Sequence, residues 1–411
     1  MNIEGYIEQF TSLWEQANID FPFAGKGVSP FEKSNNEKSM IAFSASLKKE
    51  INIKGIDKEA KNRLVQQVNS NTGVFFKNAL KYSDNEIAII SKTGFLEGTK
   101  KFMTMARRFD PRVKIEDVFQ ASRNLWIVNS LQIMLGEKVE VTPSVFAYSM
   151  LYPYSDNYLD DPAVSKSEKI AFSNRFRLKL QGRIVCPINE REKTIFDLVE
   201  MIESDWDRSS YPGVYESLLA IHDAQTRSII LMNDKEGLTE RELLSICIEK
   251  GGTSVLADGY LINGKLTPEQ EYFCFGFGTF LQFVDDIQDL HEDSTTGLET
   301  NFTRSANSGT LEKDVNRTIS FAHHVLQDVY CFPADNLNHM QGLMIKSIHF
   351  LIIEAVGLND KLFSDEYVQQ FEKQAVFSYD FIKQRRNRME SNRLSFMRKI
   401  ESMIFEELEV A

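Results

Sequence analysis

Four Ser/Thr-x-x-Glu/Gln quartets stand where runs of helical periodicity begin: Ser83 with Glu86, Ser165 with Glu168, Thr239 with Glu242, and Thr267 with Gln270. In each, the hydroxyl is spaced to accept from a first-turn amide, while the residue three further on reaches back to the cap's own N–H. Each quartet therefore fixes a helix start. Pro143 after Thr142 and Pro268 after Thr267 mark starts as well, because a proline at the first helical position gives up an N–H that has no intrahelical partner. Turn signals separate segments of helical length, which predicts helices at about 57–69, 84–108 with a break near Gly94, 116–135, 143–161, 166–181, 192–206, 213–232, 240–262, 268–293, 312–330, 336–355 and 366–408. Alternating β-branched runs are confined to 138–142 and 184–188, too short to build a sheet. The first fifty residues, with FPFAGKGVSPF among them, read as a loop-rich segment packed on a bundle. The expectation is an all-α fold: one domain over 1–411, with 1–110 as an N-terminal helical and loop extension and 111–411 as the bundle that carries the chemistry.

Composition narrows what such a bundle does. With 42% apolar and 26% charged residues among 411, the chain is long enough to bury a sizeable core without staples. A formal charge of -12 lacks the basic footprint of nucleic-acid binding. Cys186, Cys247, Cys274 and Cys331 lie far apart, so neither a disulfide framework nor a zinc knuckle is indicated. No signal-peptide pattern opens the sequence and no uninterrupted apolar run reaches spanning length, so the expectation is a soluble, cytoplasmic protein with no integral membrane segment.

Two acidic segments invite chemistry. In YSDNYLDDP, Asp156 and Asp160 stand four apart and share a helix face, with Asp161 at its edge. Like charges so stacked repel, which asks for a shared cation, a capped helix end or plain solvent. In FVDDIQDLHED, Asp286, Asp289 and Asp293 recur at i, i+3 and i+7 with Asp285 and Glu292 alongside. The stretch before them, EYFCFGFGTFLQF, is apolar through much of its circumference, so these carboxylates emerge where a buried helix meets a cavity mouth. The plainer alternative ends the buried helix at Gln282 and leaves the acidic run to solvent. An EF-hand does not fit, for want of the loop glycine and the closing glutamate, and the six histidines show no HExxH spacing. Two facing carboxylate clusters suit magnesium, which takes one or two protein carboxylates and fills its octahedron with water and phosphate oxygens.

Three motifs together resemble the class I isoprenoid synthases, and among them the bacterial large-terpene synthases of the tetraprenyl-β-curcumene synthase type. The likeness runs over roughly Ala121 to Asp293. The run Asp156-Asn157-Tyr158-Leu159-Asp160-Asp161 is similar to that family's DYLDN, with Asp161 where the family has Asn; Gln282 to Asp289, continued by Glu292 and Asp293, is similar to its distal acidic run; and Lys250 to Tyr260 is similar to its KGGxSVLADGY segment. The resemblance implies the terpenoid-synthase helical fold, more than one Mg²⁺ ion with Mn²⁺ as a substitute, and a prenyl diphosphate substrate. It implies metal binding at Asp156, Asp160, Asp161, Asp285, Asp286, Asp289, Glu292 and Asp293, with catalysis resting on Asp156, Asp160, Asp285 and Asp289. Substrate binding falls to Lys250, Gly251, Gly252 and Ser254, to Gln225 and Tyr211 as pocket lining, and to Arg227 and Arg386 among the basic residues. Tyr379, Lys383 and Arg386 share a helix face that could close over a ligand, and core packing is an alternative role for Tyr211.

The paired glycines of KGG cost helix propensity unless a break is wanted, and a break there would turn backbone groups toward the cavity. The expected function is ionisation of a long-chain prenyl diphosphate (C15 to C35) to a cyclic or linear terpene. The alternatives are head-to-head coupling in the manner of squalene and phytoene synthases, and a non-catalytic helical protein that binds a metal or lipid. Either a monomer or a homodimer fits, as does transient membrane contact for an apolar substrate or product.

Overall fold

A computed structural model describes residues 1–51, 72–161, 163–229 and 237–409. Among the described residues there are, beside a helical stretch over 72–78, seventeen α-helices, two short 3₁₀ turns and no strand. They are α1 (Ile3–Gln16), α2 (Pro30–Ile51), α3 (Asp84–Lys92), α4 (Phe95–Phe109), α5 (Ile115–Met134), α6 (Pro143–Asp160), α7 (Lys166–Leu180), α8 (Glu190–Asp205) and α9 (Pro212–Ser228). The remainder are α10 (Glu240–Asn263), α11 (Pro268–Gln288), α12 (Leu290–Thr296), α13 (Asn301–Ser308), α14 (Leu311–Gln327), α15 (Leu337–Leu358), α16 (Asp365–Gln374) and α17 (Tyr379–Glu409).

All four capping boxes form, each with both of its reciprocal hydrogen bonds. Thr142 Oγ1 accepts from Val145 N at 3.2 Å to start α6. Gly94, at φ +101°, makes the break between α3 and α4. Local chemistry was a poorer guide elsewhere. The first fifty residues are largely helical, as α1 and α2. The expected 268–293 helix bends at Asp289, where φ −92° and ψ 7° end α11 and α12 begins at once. Backbone hydrogen bonds still run through the bend, from Asp289 N to Asp285 O at 2.9 Å and from Asp293 N to Asp289 O at 2.8 Å. The expected 366–408 helix is two, because Ala375 is extended and ends α16. The expected 57–69 helix lies outside the described residues.

The chain divides into two compact units that do not follow a boundary at residue 110: Met1–Asp20 with Glu97–Leu337, and Phe21–Leu96 with Asn338–Ala411. In the first unit α10 packs between α11 and α9, and α6 lies against α5 and α8. The aromatic face of α11 is closed by α1: Phe10 stacks on Phe275 with ring centres 5.7 Å apart, and Trp14 sits 4.3 Å from Phe283. Phe10, Phe275 and Phe283 are fully buried. On this flank the rings of α11 are part of the solid core of the unit.

In the second unit α15 is a long apolar helix. It is the one described helix long and apolar enough to cross a bilayer, with a mean hydropathy of 1.4 over its best window. Its middle carries Lys346, which pairs with Glu86 at 2.7 Å, and Ser347, whose hydroxyl meets Tyr82 Oη at 3.1 Å. Ionic and hydroxyl partners at mid-helix mark a helix packed in protein rather than in lipid.

Candidate functional site

The seam between α10 and α11 positions the distal acidic run. Through Gly251 and Gly252 α10 is unbroken, in keeping with the helix expected over 240–262, so the break that the paired glycines could have marked is not made. A methyl group at Gly251 would stand 2.5 Å from the Gly278 carbonyl oxygen and 2.6 Å from Gln282 Cβ, and one at Gly252 would collide with the Phe275 ring. The glycines serve close backbone approach between the two helices, a use that outweighs their cost in helix propensity. By that approach Lys250, the residue before the pair, comes within electrostatic reach of Asp286 and Asp293.

Those two aspartates are not solvated. Asp286 is 5% exposed and Asp293 9%, which rules out, for both, an acidic run that simply projects into water. Gln282 Nε2 donates to Asp286 Oδ1 at 2.7 Å, while Asp286 Oδ2 is buried with no hydrogen-bond partner. Burial pushes the Asp286 carboxyl up to about 8; the Gln282 hydrogen bond and Lys250 oppose the rise, and Asp285 and Asp293 add to it. Burial likewise lifts Asp293 to about 7, helped by the negative charges of Asp289, Asp285 and Glu292 and opposed by Lys250. Asp285 is half-exposed and accepts from Arg123 Nη2 of α5 at 3.0 Å, and Glu292 is exposed. Asp289 occupies the bend itself.

The first acidic segment is different in kind. Asp156 is buried, but both its oxygens are satisfied: Ser155 Oγ donates to Oδ1 at 2.9 Å and Gln225 Nε2 to Oδ2 at 2.7 Å. Asp160 closes the last turn of α6, and its side chain lies outside the described residues. Asp161 is the C-cap, and its Oδ1 accepts from Ala163 N at 2.8 Å in a local turn. That role as a turn former departs from the expected metal ligand, although its second oxygen remains.

Two sets of contacts bring the segments to one end of the first unit. Along α9, Gln225 holds Asp156, and two residues on Arg227 pairs with Glu249 at 2.5 Å, next in sequence to Lys250. Along α5, Asp117 accepts from Asn157 Nδ2 at 3.4 Å, and Arg123, about 9 Å further along that helix at 1.5 Å per residue, reaches Asp285. Gln225 therefore joins the site as a positioning partner of Asp156, and Arg227 is committed to Glu249. Ser254, one turn past Lys250, is half-buried, and its carbonyl accepts from Tyr148 Oη at 3.1 Å.

Tyr211 does not join the cluster. It precedes the first turn of α9, roughly 21 Å along that helix from Gln225, and its ring packs edge-on to Trp206 with centres 4.8 Å apart. It is half-buried and packs on Trp206. Arg386 belongs to the second unit, where it pairs with Glu390 at 2.8 Å, and Lys383 of the same helix face pairs with Asp360 at 2.5 Å.

The sequence reading missed Arg123 and the Asn124–Asp258 pair. Asp258 is fully buried, Asn124 Nδ2 donates to its Oδ1 at 2.9 Å and to Ser149 Oγ at 3.1 Å, and Oδ2 is without a partner. Burial holds this carboxyl well above the usual range and favours its protonated form. A charged residue inside the apolar run SVLADGY was its signal.

Among the described residues no group of three or more His, Cys, Asp or Glu side chains is already gathered as a metal cage. The donor set still fits a hard divalent cation that takes one or two carboxylates and completes its shell with water or phosphate, and the orphaned Asp286 oxygen beside Asp293 is a place where positive charge is wanted. A surface cleft lined by Tyr6, Pro268, Glu269, Tyr272, Gln327 and Asp328 lies at the opposite end of α11, about 30 Å from Asp289 along the helix axis. Comparison of the chain with protein-family models, with curated proteins and with solved structures finds no match.

Proposed function

We propose that this chain is a magnesium-dependent class I terpene synthase that ionises a linear, long-chain prenyl diphosphate. The observation that carries the reading is the crowding of Asp286 and Asp293 in a buried site with one carboxylate oxygen unpaired, at the end of the unit to which Asp156 also comes. Such a site holds either protons or a cation. Asp285, Asp289 and Asp293 would hold metal from one side and Asp156 with Asp160 from the other. When bound, Mg²⁺ supplies stabilisation of the negative charge that gathers on the departing diphosphate.

The residues of the chain do the rest. Lys250, within electrostatic reach of Asp293, would meet diphosphate oxygens at the edge of the carboxylates. Gln225 and Ser155 fix the Asp156 carboxylate so that its orientation needs no adjustment on binding. The C–O bond to the prenyl chain breaks heterolytically, its electron pair leaves with diphosphate, and the allylic cation closes a ring or loses a proton. Incubation with Mg²⁺ and prenyl diphosphates from C15 to C35 tests this: diphosphate release from at least one, abolished in Asp289→Asn and Asp160→Asn at unchanged Tm, is the expected result. No release from any of them, or full turnover in both variants, would sink the reading.

A second reading, a helical protein that binds a divalent cation without turnover, draws its support from the filled flank of α11, where Phe10 and Trp14 pack directly on Phe275 and Phe283. Cation binding that is indifferent to diphosphate separates it from the first.

A further inference from the structure

The connection between α7 and α8 displays an apolar tip on a fixed loop. Ile184 is fully exposed at 102% of its reference area and Ile188 is 68% exposed, with Val185, Cys186 and Pro187 between them. Both ends are anchored. Arg183 N donates to Leu178 O at 3.0 Å, closing the end of α7 around Gly182, whose φ of +75° suits a residue without a side chain. Arg208 reinforces that end, with its guanidinium donating to Leu180 O at 2.6 Å and Lys179 O at 3.1 Å. At the far end Ile188 N donates to Glu192 Oε2 at 3.1 Å, and Asn189 caps α8. Ile170 and Leu178, 51% and 42% exposed on the outer side of α7, extend the apolar surface back from the loop.

The charge around this tip runs against that of the protein. Between Lys166 and Arg191 there are seven lysines and arginines to two glutamates, in a chain of formal charge -12. Arg175 pairs with Glu192, Arg177 with Asp223 and Lys179 with Glu200. Arg183 stands exposed immediately before the apolar tip and Arg191 shortly after it, its guanidinium 4.6 Å from the Tyr158 ring centre. Exposed isoleucines contribute nothing to the core, so holding them on an anchored loop between cations has its use outside the folded chain.

We propose that the 183–188 loop is a membrane-docking tip, which seats Ile184 and Ile188 in the interface of an anionic phospholipid bilayer while Arg183 and Arg191 meet its headgroups. Apolar insertion and attraction to anionic lipid add in such a contact, and each is weak alone. The proposal makes no use of the catalytic reading and stands or falls without it. The test is sedimentation of the full chain with vesicles of equimolar phosphatidylcholine and phosphatidylglycerol, alongside vesicles of phosphatidylcholine alone. Expected are binding to the mixed vesicles, weaker binding to the neutral ones, and a loss of at least about tenfold in Ile184→Glu/Ile188→Glu, since burial of each side chain is removed. Tm should move little in that variant, because both side chains are exposed. Equal binding by wild type and variant, or no binding to either vesicle, would overturn the proposal. So would self-association of the chain that depends on Ile184 in the absence of lipid, which would put a second copy on this face.

Discussion

The two acidic segments of the first unit handle buried carboxylates in opposite ways. Asp156 goes into the protein with a donor for each oxygen, Ser155 on one and Gln225 on the other, so its charge is paid in hydrogen bonds at the moment of folding. Asp286 and Asp293 go in crowded by Asp285, Asp289 and Glu292, with one oxygen orphaned and Lys250 as the opposing charge. A satisfied carboxylate sets a direction, whereas an unsatisfied cluster stores an affinity for whatever positive charge arrives. The pairing of the two is what a cation-and-anion site requires.

The largest way to break the contrast is to part the helices that create it. Gly278→Val pushes a branched side chain against the Gly251 carbonyl, so it should cost about 3 kcal/mol or more in denaturant unfolding, the upper part of the overpacking range, because backbone rather than a flexible side chain must yield. A loss under about 1 kcal/mol would show that the seam is looser than described. Next comes Gln225→Leu, which strips a donor from buried Asp156 and should destabilise the protein by about 2 kcal/mol. Neutral behaviour there would mean that water replaces the amide.

The cluster should show itself in pH dependence. Unfolded aspartates ionise near 4, whereas folded Asp286 and Asp293 keep their protons up to about 8 and about 7. The contribution of these two carboxyls to the stability of the metal-free protein should therefore fall as pH rises from about 4 to about 8 and level off above, because over that window the unfolded state alone releases these protons. Asp286→Asn should flatten the slope and gain at least about 1 kcal/mol near pH 8. Denaturant midpoints against pH measure it, and superimposable slopes in the two proteins would contradict the burial described for Asp286. The smallest effect belongs to Arg123→Ala, since its pair with Asp285 is exposed: under about 1 kcal/mol, and less still in high salt.

What the sequence disclosed and what it concealed follow from the range of the interactions. Capping boxes are complete within four residues, so Ser83, Ser165, Thr239 and Thr267 announced their helices without help from the fold. The acidic stripe was legible for the same reason, its spacing being local. The purpose of Gly251 and Gly252 was not, because a glycine that breaks a helix and a glycine that admits a neighbouring helix look alike until Gly278 is seen opposite. Nor could periodicity tell that the rings of α11 would be met by Phe10 and Trp14 from the first helix, over 260 residues away in sequence, so an aromatic wall and an aromatic core were indistinguishable. The division into two units escaped for that reason too, since each is assembled from separated stretches of chain.

Calorimetric titration of Mg²⁺ into the protein, with and without inorganic diphosphate, tests the central claim most directly. The account expects binding that strengthens when diphosphate is present and disappears in Asp289→Asn, because each ligand completes the site of the other. Binding of equal strength in both titrations, or undiminished in the variant, would contradict it.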